Sequence, residues 1–143
     1  MVSEEHYSQI ANDLVAKGYE LSDNADYILS ERDIYAQYLI GRKNGELYRI
    51  KTNEIIYIES LAHDVIVHCV GEEYKINERL VHLQEILNPA AFLRISNSMI
   101  VAVDAVKGIK PALSQKYNLT MSDGSRVLVT RSYYYIFKEF FGI

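Results

Sequence analysis

Three pairs of short apolar runs, each pair split by a glycine-containing tight turn, constrain this chain more than any other feature. Tyr38-Leu39-Ile40 and Leu47-Tyr48-Arg49-Ile50 flank Asn44-Gly45, a pair suited to the positive φ angles of a type I′ hairpin turn. Val65 to Val70 and Tyr74 to Ile76 flank Gly71, and Leu119-Thr120-Met121 and Val127-Leu128-Val129 flank Asp123-Gly124. Ile55-Ile56-Tyr57-Ile58 adds a compact run of strand formers. Turns this short join antiparallel neighbours only, because parallel strands need a long crossover. From Ala36 onward the expectation is a mostly β fold with a few helices, its antiparallel strands arranged in several small sheets.

Two helices are expected among these strands. Asn77 is the expected cap of one, whose Leu80, Leu83 and Leu87 face inward, with His82 on its exposed side and Pro89 just past its end. In the other, at the C-terminus, Tyr133, Ile136, Phe137, Phe140 and Phe141 follow the spacing of a buried face. Phe92 to Val106 holds strand-like residues around the polar stop Ser96-Asn97-Ser98. Ahead of residue 36, Tyr7, Ile10, Ala11, Leu14 and Val15 predict a short N-terminal helix, with Ser3 as N-cap and Gly18 at its end. This divides the chain into an acidic helical extension, residues 1–35, and a body, residues 36–143.

Charge separates these two parts. Residues 1–35 carry two basic and eight acidic side chains, whereas residues 36–143 carry 13 basic and 11 acidic ones. A body this close to neutral neither requires nor excludes a polyanionic partner. With 49% apolar and 24% charged residues the chain is globular in composition, and its apolar runs are too short to span a bilayer. The acidic start, Met1-Val2-Ser3-Glu4-Glu5, lacks the basic and apolar pattern of a secretory signal. Cys69 is the only cysteine, which excludes an internal disulfide and a cysteine-based zinc cage. A cytoplasmic protein without membrane insertion is expected.

An enzymatic reading finds no support in the residues. HExxH, CxxC, GxSxG, Walker A and GxGxxG patterns are all missing. His63 and His68 are five apart, on opposite faces of a strand, and His68 and Cys69 are neighbours whose side chains point apart. Cys69 reads as a buried core residue, and Glu72 and Glu73 as solvated turn residues. No catalytic residue, metal ligand or cofactor is expected.

Three polar segments interrupt the apolar elements and are read as exposed loops: Glu59 to Asp64, Ser96-Asn97-Ser98 and Thr130-Arg131-Ser132. Their side chains suit base edges, since Arg bonds guanine O6 and N7 together, Asn bonds adenine N6 and N7, and His donates or accepts. Arg131 lies at the expected start of the last helix, where the dipole disfavours a cation. It either reaches outward to an anion or base edge, or stacks on Tyr134 or pairs with Glu139. Taken singly, Asn97 is also good turn chemistry, and His63 also an ordinary exposed loop residue.

In combination these segments resemble the LytTR family of bacterial DNA-binding domains, from about Tyr38 to the C-terminus. The resemblance rests on Asn53-Glu54-Ile55-Ile56-Tyr57-Ile58-Glu59-Ser60, and on Tyr74-Lys75-Ile76 leading to Leu80 and Leu83-Gln84-Glu85-Ile86-Leu87. It continues with Phe92-Leu93-Arg94-Ile95-Ser96-Asn97-Ser98-Met99-Ile100-Val101, and ends with Asp123-Gly124-Ser125 through Val129-Thr130-Arg131-Ser132-Tyr133. It implies a fold of roughly ten strands in three small sheets, whose loops enter successive major grooves of double-stranded DNA from one side and favour a curved duplex. His63, Asn97 and Arg131 are thereby the candidates for base contacts. Arg94, Ser96, Lys110 and Ser132 are candidates for phosphate contacts, Arg94 being equally readable as a partly buried structural residue.

The chain departs from the family pattern in three places. Many members carry His and Arg where this chain has Ser96 and Asn97, and Asn where it has Ala102. The length of the first loop varies, so either His63 or Asp64 faces the DNA. About 35 residues precede the body, too few for the phosphoacceptor receiver that such a domain often follows. A stand-alone transcriptional regulator is the leading expectation, with a homodimer on DNA and a protein partner for the acidic segment both left open. The alternative is a protein-interaction or effector-sensing module of the same fold with weak or no DNA binding, motivated by the net charge of −4 and the acidic head.

Overall fold

The computed structural model of the protein describes residues 34–143, so the expected N-terminal helix lies outside the described residues. Both residues of the first turn, Asn44 and Gly45, adopt positive φ (52° and 80°), as a type I′ turn requires. That turn joins β1 (Tyr38–Lys43) to β2 (Glu46–Lys51). β3 (Ile55–Leu61), β4 (Asp64–Cys69) and β5 (Glu72–Ile76) follow as a meander, and then comes helix α1 (Leu80–Ile86). β6 (Phe92–Ser96) and β7 (Met99–Ala102) form another hairpin, and β8 (Val106–Ala112), β9 (Lys116–Met121) and β10 (Arg126–Val129) a second meander. The C-terminal helix α2 (Tyr134–Phe141) closes the chain.

Every strand pairing is antiparallel. The ten strands form two sheets rather than three: one of seven strands in the order β2-β1-β5-β4-β3-β7-β6, and one of three in the order β10-β9-β8. Two junctions merge what would otherwise be separate small sheets. β3 pairs with β7 over Tyr57↔Val101, Ile58↔Ile100 and Glu59↔Met99, and β1 meets β5 at Arg42↔Lys75.

Side-chain alternation sends the large sheet's residues to two different cores. Leu39, Ile50, Ile58, Val65, Val67, Ile76 and Ile100 pack under Leu80, Leu83 and Leu87 of α1. On the opposite face, Tyr57, Met99 and Val101 meet Tyr117, Leu119, Met121 and Val129 of the small sheet and Phe137 of α2. A register shift between Ile55 and Tyr57 lets the adjacent Ile56 and Tyr57 face the same core, with Ile55 and Ile58 on the other. Each such buried aliphatic side chain contributes about 1.5–3 kcal/mol.

Two helix details differ from the sequence expectation. Arg79, not Asn77, stands at the N-cap of α1, with no side-chain capping bond, so packing of the three leucines starts this helix rather than a cap. On α2 the buried line runs through Tyr134, Phe137 and Phe141, whereas Ile136 and Phe140 are exposed. Tyr133 belongs to a 3-10 turn (Arg131–Tyr133) ahead of the helix. The Tyr134 ring stacks on Tyr117 at 4.9 Å, and Phe137 lies 5.2 Å from the same ring. Contact on one side buries one stripe, which is narrower than the apolar spacing allowed.

At the β1–β5 junction, a Cβ on Gly41 would lie 2.6 Å from Ile50 Cδ1 and 2.7 Å from Tyr74 Cβ. Gly41→Ala is therefore expected to cost about 1–3 kcal/mol. Urea unfolding should show a lower midpoint with an unchanged slope.

Candidate nucleic-acid interface

The three polar segments of the sequence meet at one end of the large sheet. The first is narrower than expected: Glu59, Ser60 and Leu61 complete β3 and Asp64 opens β4, leaving Ala62-His63 as a two-residue turn. Ala62 takes φ 53°, and the His63 side chain is exposed with no partner among the described residues. Asp64 is turned to the neighbouring strand, its Oδ1 lying 3.2 Å from Lys75 Nζ. Of the two side chains in question, His63 is therefore the free one.

The second turn, Asn97-Ser98, is built around Arg94. Its Nε donates to Ser96 O (3.0 Å), Nη2 to Asn97 O (2.6 Å) and Nη1 to Gln84 Oε1 on α1 (2.7 Å). A guanidinium supplies such a fork of donors in fixed geometry, and bonds from a charged donor are the strong ones. Ser96 is buried, and its Oγ accepts from the Ser98 amide at 3.2 Å. Both side chains are engaged in shaping the turn. Asn97 itself is exposed.

Hydrogen bonds chain the turns together. Ser60 N donates to Ser98 O (2.8 Å), tying the end of β3 to the second turn. Thr130 N donates to Ile95 O (3.0 Å), bringing the segment after β10 against β6. Tyr133 Oη then donates to Asn97 Oδ1 (3.2 Å). Arg131 and Ser132 are exposed beside it; the Arg131 carbonyl accepts from the Tyr134 amide, while its guanidinium has no hydrogen bond or ion pair among the described residues. Neither the Tyr134 stack nor the Glu139 pair forms: Tyr134 is stacked on Tyr117 and lies under Lys138. Lys110 is apart from this chain of contacts, exposed on edge strand β8 opposite Asn118. The sequence reading missed Tyr133 and Gln84, because helical spacing assigns a side chain to a face and says nothing of what its polar end meets.

Behind the first turn, His68 lies between two carboxylates, with Nε2 2.7 Å from Glu59 Oε1 and Nδ1 3.6 Å from Glu73 Oε2. Its ring stacks on Tyr57 at 4.2 Å. Burial pushes the Tyr57 hydroxyl up, against a hydrogen bond from Ser125 that lowers it. Cys69 is half-buried rather than fully buried, packed against the first core, and burial pushes its thiol up. Among the described residues no cluster of three His, Cys, Asp or Glu side chains is placed to hold a metal ion, and no helix is long and apolar enough to cross a membrane.

The described residues thus form an antiparallel β domain that gathers three polar turns at one end of its large sheet. The chain belongs to the LytTR family: residues 45–142 match the model of the LytTr DNA-binding domain. This is a family of DNA-binding domains, not of enzymes. The sensory transduction protein LytT of Bacillus subtilis is 30% identical over 112 residues, which cover 77% of this chain and 46% of that protein. The transcriptional regulatory protein LytR of Staphylococcus aureus strain N315 is 24% identical over 136 residues, covering 94% of this chain and 55% of LytR. The chain thus spans about half the length of these relatives. Among solved structures, a LytTr DNA-binding domain from Bacillus cereus superposes with a TM-score of 0.73 at 22% identity, over 76% of this chain and 99% of that one.

Two outcomes follow from this geometry. Arg94→Ala should lower stability by about 1–3 kcal/mol and speed amide exchange at Asn97 and Ser98, whereas Lys110→Ala should stay within about 0.5 kcal/mol of the parent. A raised thiol pKa leaves less thiolate at neutral pH, so iodoacetamide should label Cys69 more slowly than a free thiol, with the difference lost in denaturant.

Proposed function

We propose that this protein is a sequence-specific double-stranded DNA-binding regulator of transcription, in which His63, Asn97 and Arg131 read base edges in successive major grooves. The observation that carries the reading is the run of hydrogen bonds Ser60–Ser98, Thr130–Ile95 and Tyr133–Asn97, which draws three separate turns into one surface. Holding the three turns rigid before binding lowers the ordering cost of the complex.

The three side chains divide the work by chemistry. Arg131, exposed and without an anionic partner among the described residues, offers a fork of donors to guanine O6 and N7. Asn97 is oriented by Tyr133, its Nδ2 left to donate and its Oδ1 keeping one lone pair. His63 donates or accepts according to its tautomer. Ser132 and Lys110 are assigned to phosphates, and Arg94 and Ser96 act on the DNA through the shape of the second turn. Turns that reach two grooves from one side favour a bent duplex, whose deformation energy adds selectivity at bases no side chain touches.

Fluorescence anisotropy with the duplex upstream of the protein's own gene, beside a scrambled duplex at about 50 and 200 mM salt, tests this. Tight, salt-sensitive binding that prefers the native duplex is expected. Arg131→Ala should weaken specific binding by about 1–3 kcal/mol, roughly 5- to 150-fold, with the fold intact by circular dichroism. An unchanged sequence preference in that variant would remove Arg131 from base reading.

A further inference from the structure

Among the described residues, one half of one sheet face is left uncovered. The α1 core takes the inner face from β1 to β3, and the small sheet takes the outer face over β3 and β7. The outer face of β2, β1 and β5 therefore meets neither. Alternation and register assign to it Lys51, Arg49 and Leu47 on β2, Tyr38, Ile40 and Arg42 on β1, and Lys75 and Glu73 on β5. All eight are exposed, with Ile40 at 55% and Leu47 at 67%.

On β1 and β2 the charge of this face is of one sign, and the one outward carboxylate of β5, Glu73, lies toward His68 on β4, its Oε2 3.6 Å from Nδ1. No acidic residue occupies the six outward positions of β1 and β2. Arg42, Arg49 and Lys51 have no ion pair among the described residues, the salt bridges of this region being Lys43–Glu72, which involves the other face of β1, and Lys75–Asp64. Arg42 and Lys75 stand directly opposite each other, a like-charge pairing that works against the sheet. The Arg49 guanidinium lies over the Tyr38 ring at 3.9 Å, which steadies it at the surface without neutralising it.

Position gives this face its partner. β1 begins and β2 ends at the same end of the large sheet as the Ala62-His63 turn, and Lys75, paired in register with Ile66 and bonded to Asp64, stands beside that turn. The cations run outward from there, from Lys75 to Arg42 to Arg49 and Lys51, across adjacent strands about 4.8 Å apart. We infer that this outer face of β2, β1 and β5 is a second, sequence-independent DNA contact, in which Arg42, Arg49, Lys51 and Lys75 track the phosphate backbone flanking the site read by the turns. The inference rests on the DNA-binding reading above. It adds an affinity term that does not depend on base sequence, since phosphate contacts position a protein without reading bases.

The test is the salt dependence of binding, measured on the full chain with a random-sequence duplex long enough to extend beyond the turn contacts. For B-DNA, log K falls against log salt with a slope of about −0.9 per phosphate neutralised. The double variant Arg49→Gln, Lys51→Gln alters only exposed side chains, and circular dichroism checks its fold. Its slope should be shallower by about 1.8, while its ranking of specific over scrambled duplex stays that of the parent. A slope and affinity equal to the parent's would overturn the inference and leave DNA binding by the turns standing. Loss of self-association in sedimentation with an unchanged slope would assign the face to a second copy instead. No binding of any duplex by the parent would overturn both readings together.

Discussion

Burial of β3 on both of its faces organises the rest of this structure, because a strand covered twice needs a different layer on each side. Ile58 faces the leucines of the first core, Ile56 faces the small sheet, and the register shift between Ile55 and Tyr57 turns Ile56 and Tyr57 together toward the small sheet. From that strand the two covering layers extend in opposite directions. α1 shelters the half built from β1, β5 and β4, and the small sheet with α2 shelters the half built from β7 and β6. Neither layer covers the outer face of the first half, and it carries Arg42, Arg49 and Lys51, which have no ion pair among the described residues.

The same arrangement explains how turns distant in sequence come together. Once β7 pairs with β3, the Asn97-Ser98 turn lies beside the end of β3, and Ser60 N meets Ser98 O. Packing of the small sheet on the outer face then brings Thr130 against Ile95 and Tyr133 against Asn97. Arg94 fastens the middle turn to α1 through Gln84, so the helix of one core and the turn beside the other are joined by one guanidinium. Carboxylates nearby are held by partners: Asp64 by Lys75, and Glu59 by His68. At this end the side chains of His63 and Arg131 have no partner among the described residues, and these are the ones proposed to meet bases.

Much of this was legible from residue types. Asn44-Gly45 and Gly124 announced hairpins because positive φ favours Asn and Gly, and Leu80, Leu83 and Leu87 announced an inward helix face because three- and four-residue spacing stacks side chains. Local signals failed where a contact of long sequence separation was decisive. The α2 stripe was misjudged because Ile136 and Phe140 suit a buried face, yet the small sheet covers only the Tyr134–Phe137 side of the helix and leaves both exposed. The cap of α1 was misplaced because leucine burial starts that helix without a capping bond. Arg94 stayed ambiguous because its acceptors include Gln84, ten residues away on another element.

By itself, then, the sequence determined the strands, their antiparallel hairpin pairing, the family and three turn residues, since each depends on side-chain alternation, turn stereochemistry or ordered short motifs. Only the tertiary structure decided that the strands merge into two sheets, that the polar turns share one surface, that Arg94 and Ser96 support a turn, and that a cationic face remains uncovered. Those outcomes depend on which strand edges and faces meet across the chain. Edge and face pairing is set by burial shared between distant residues, and no local pattern encodes it.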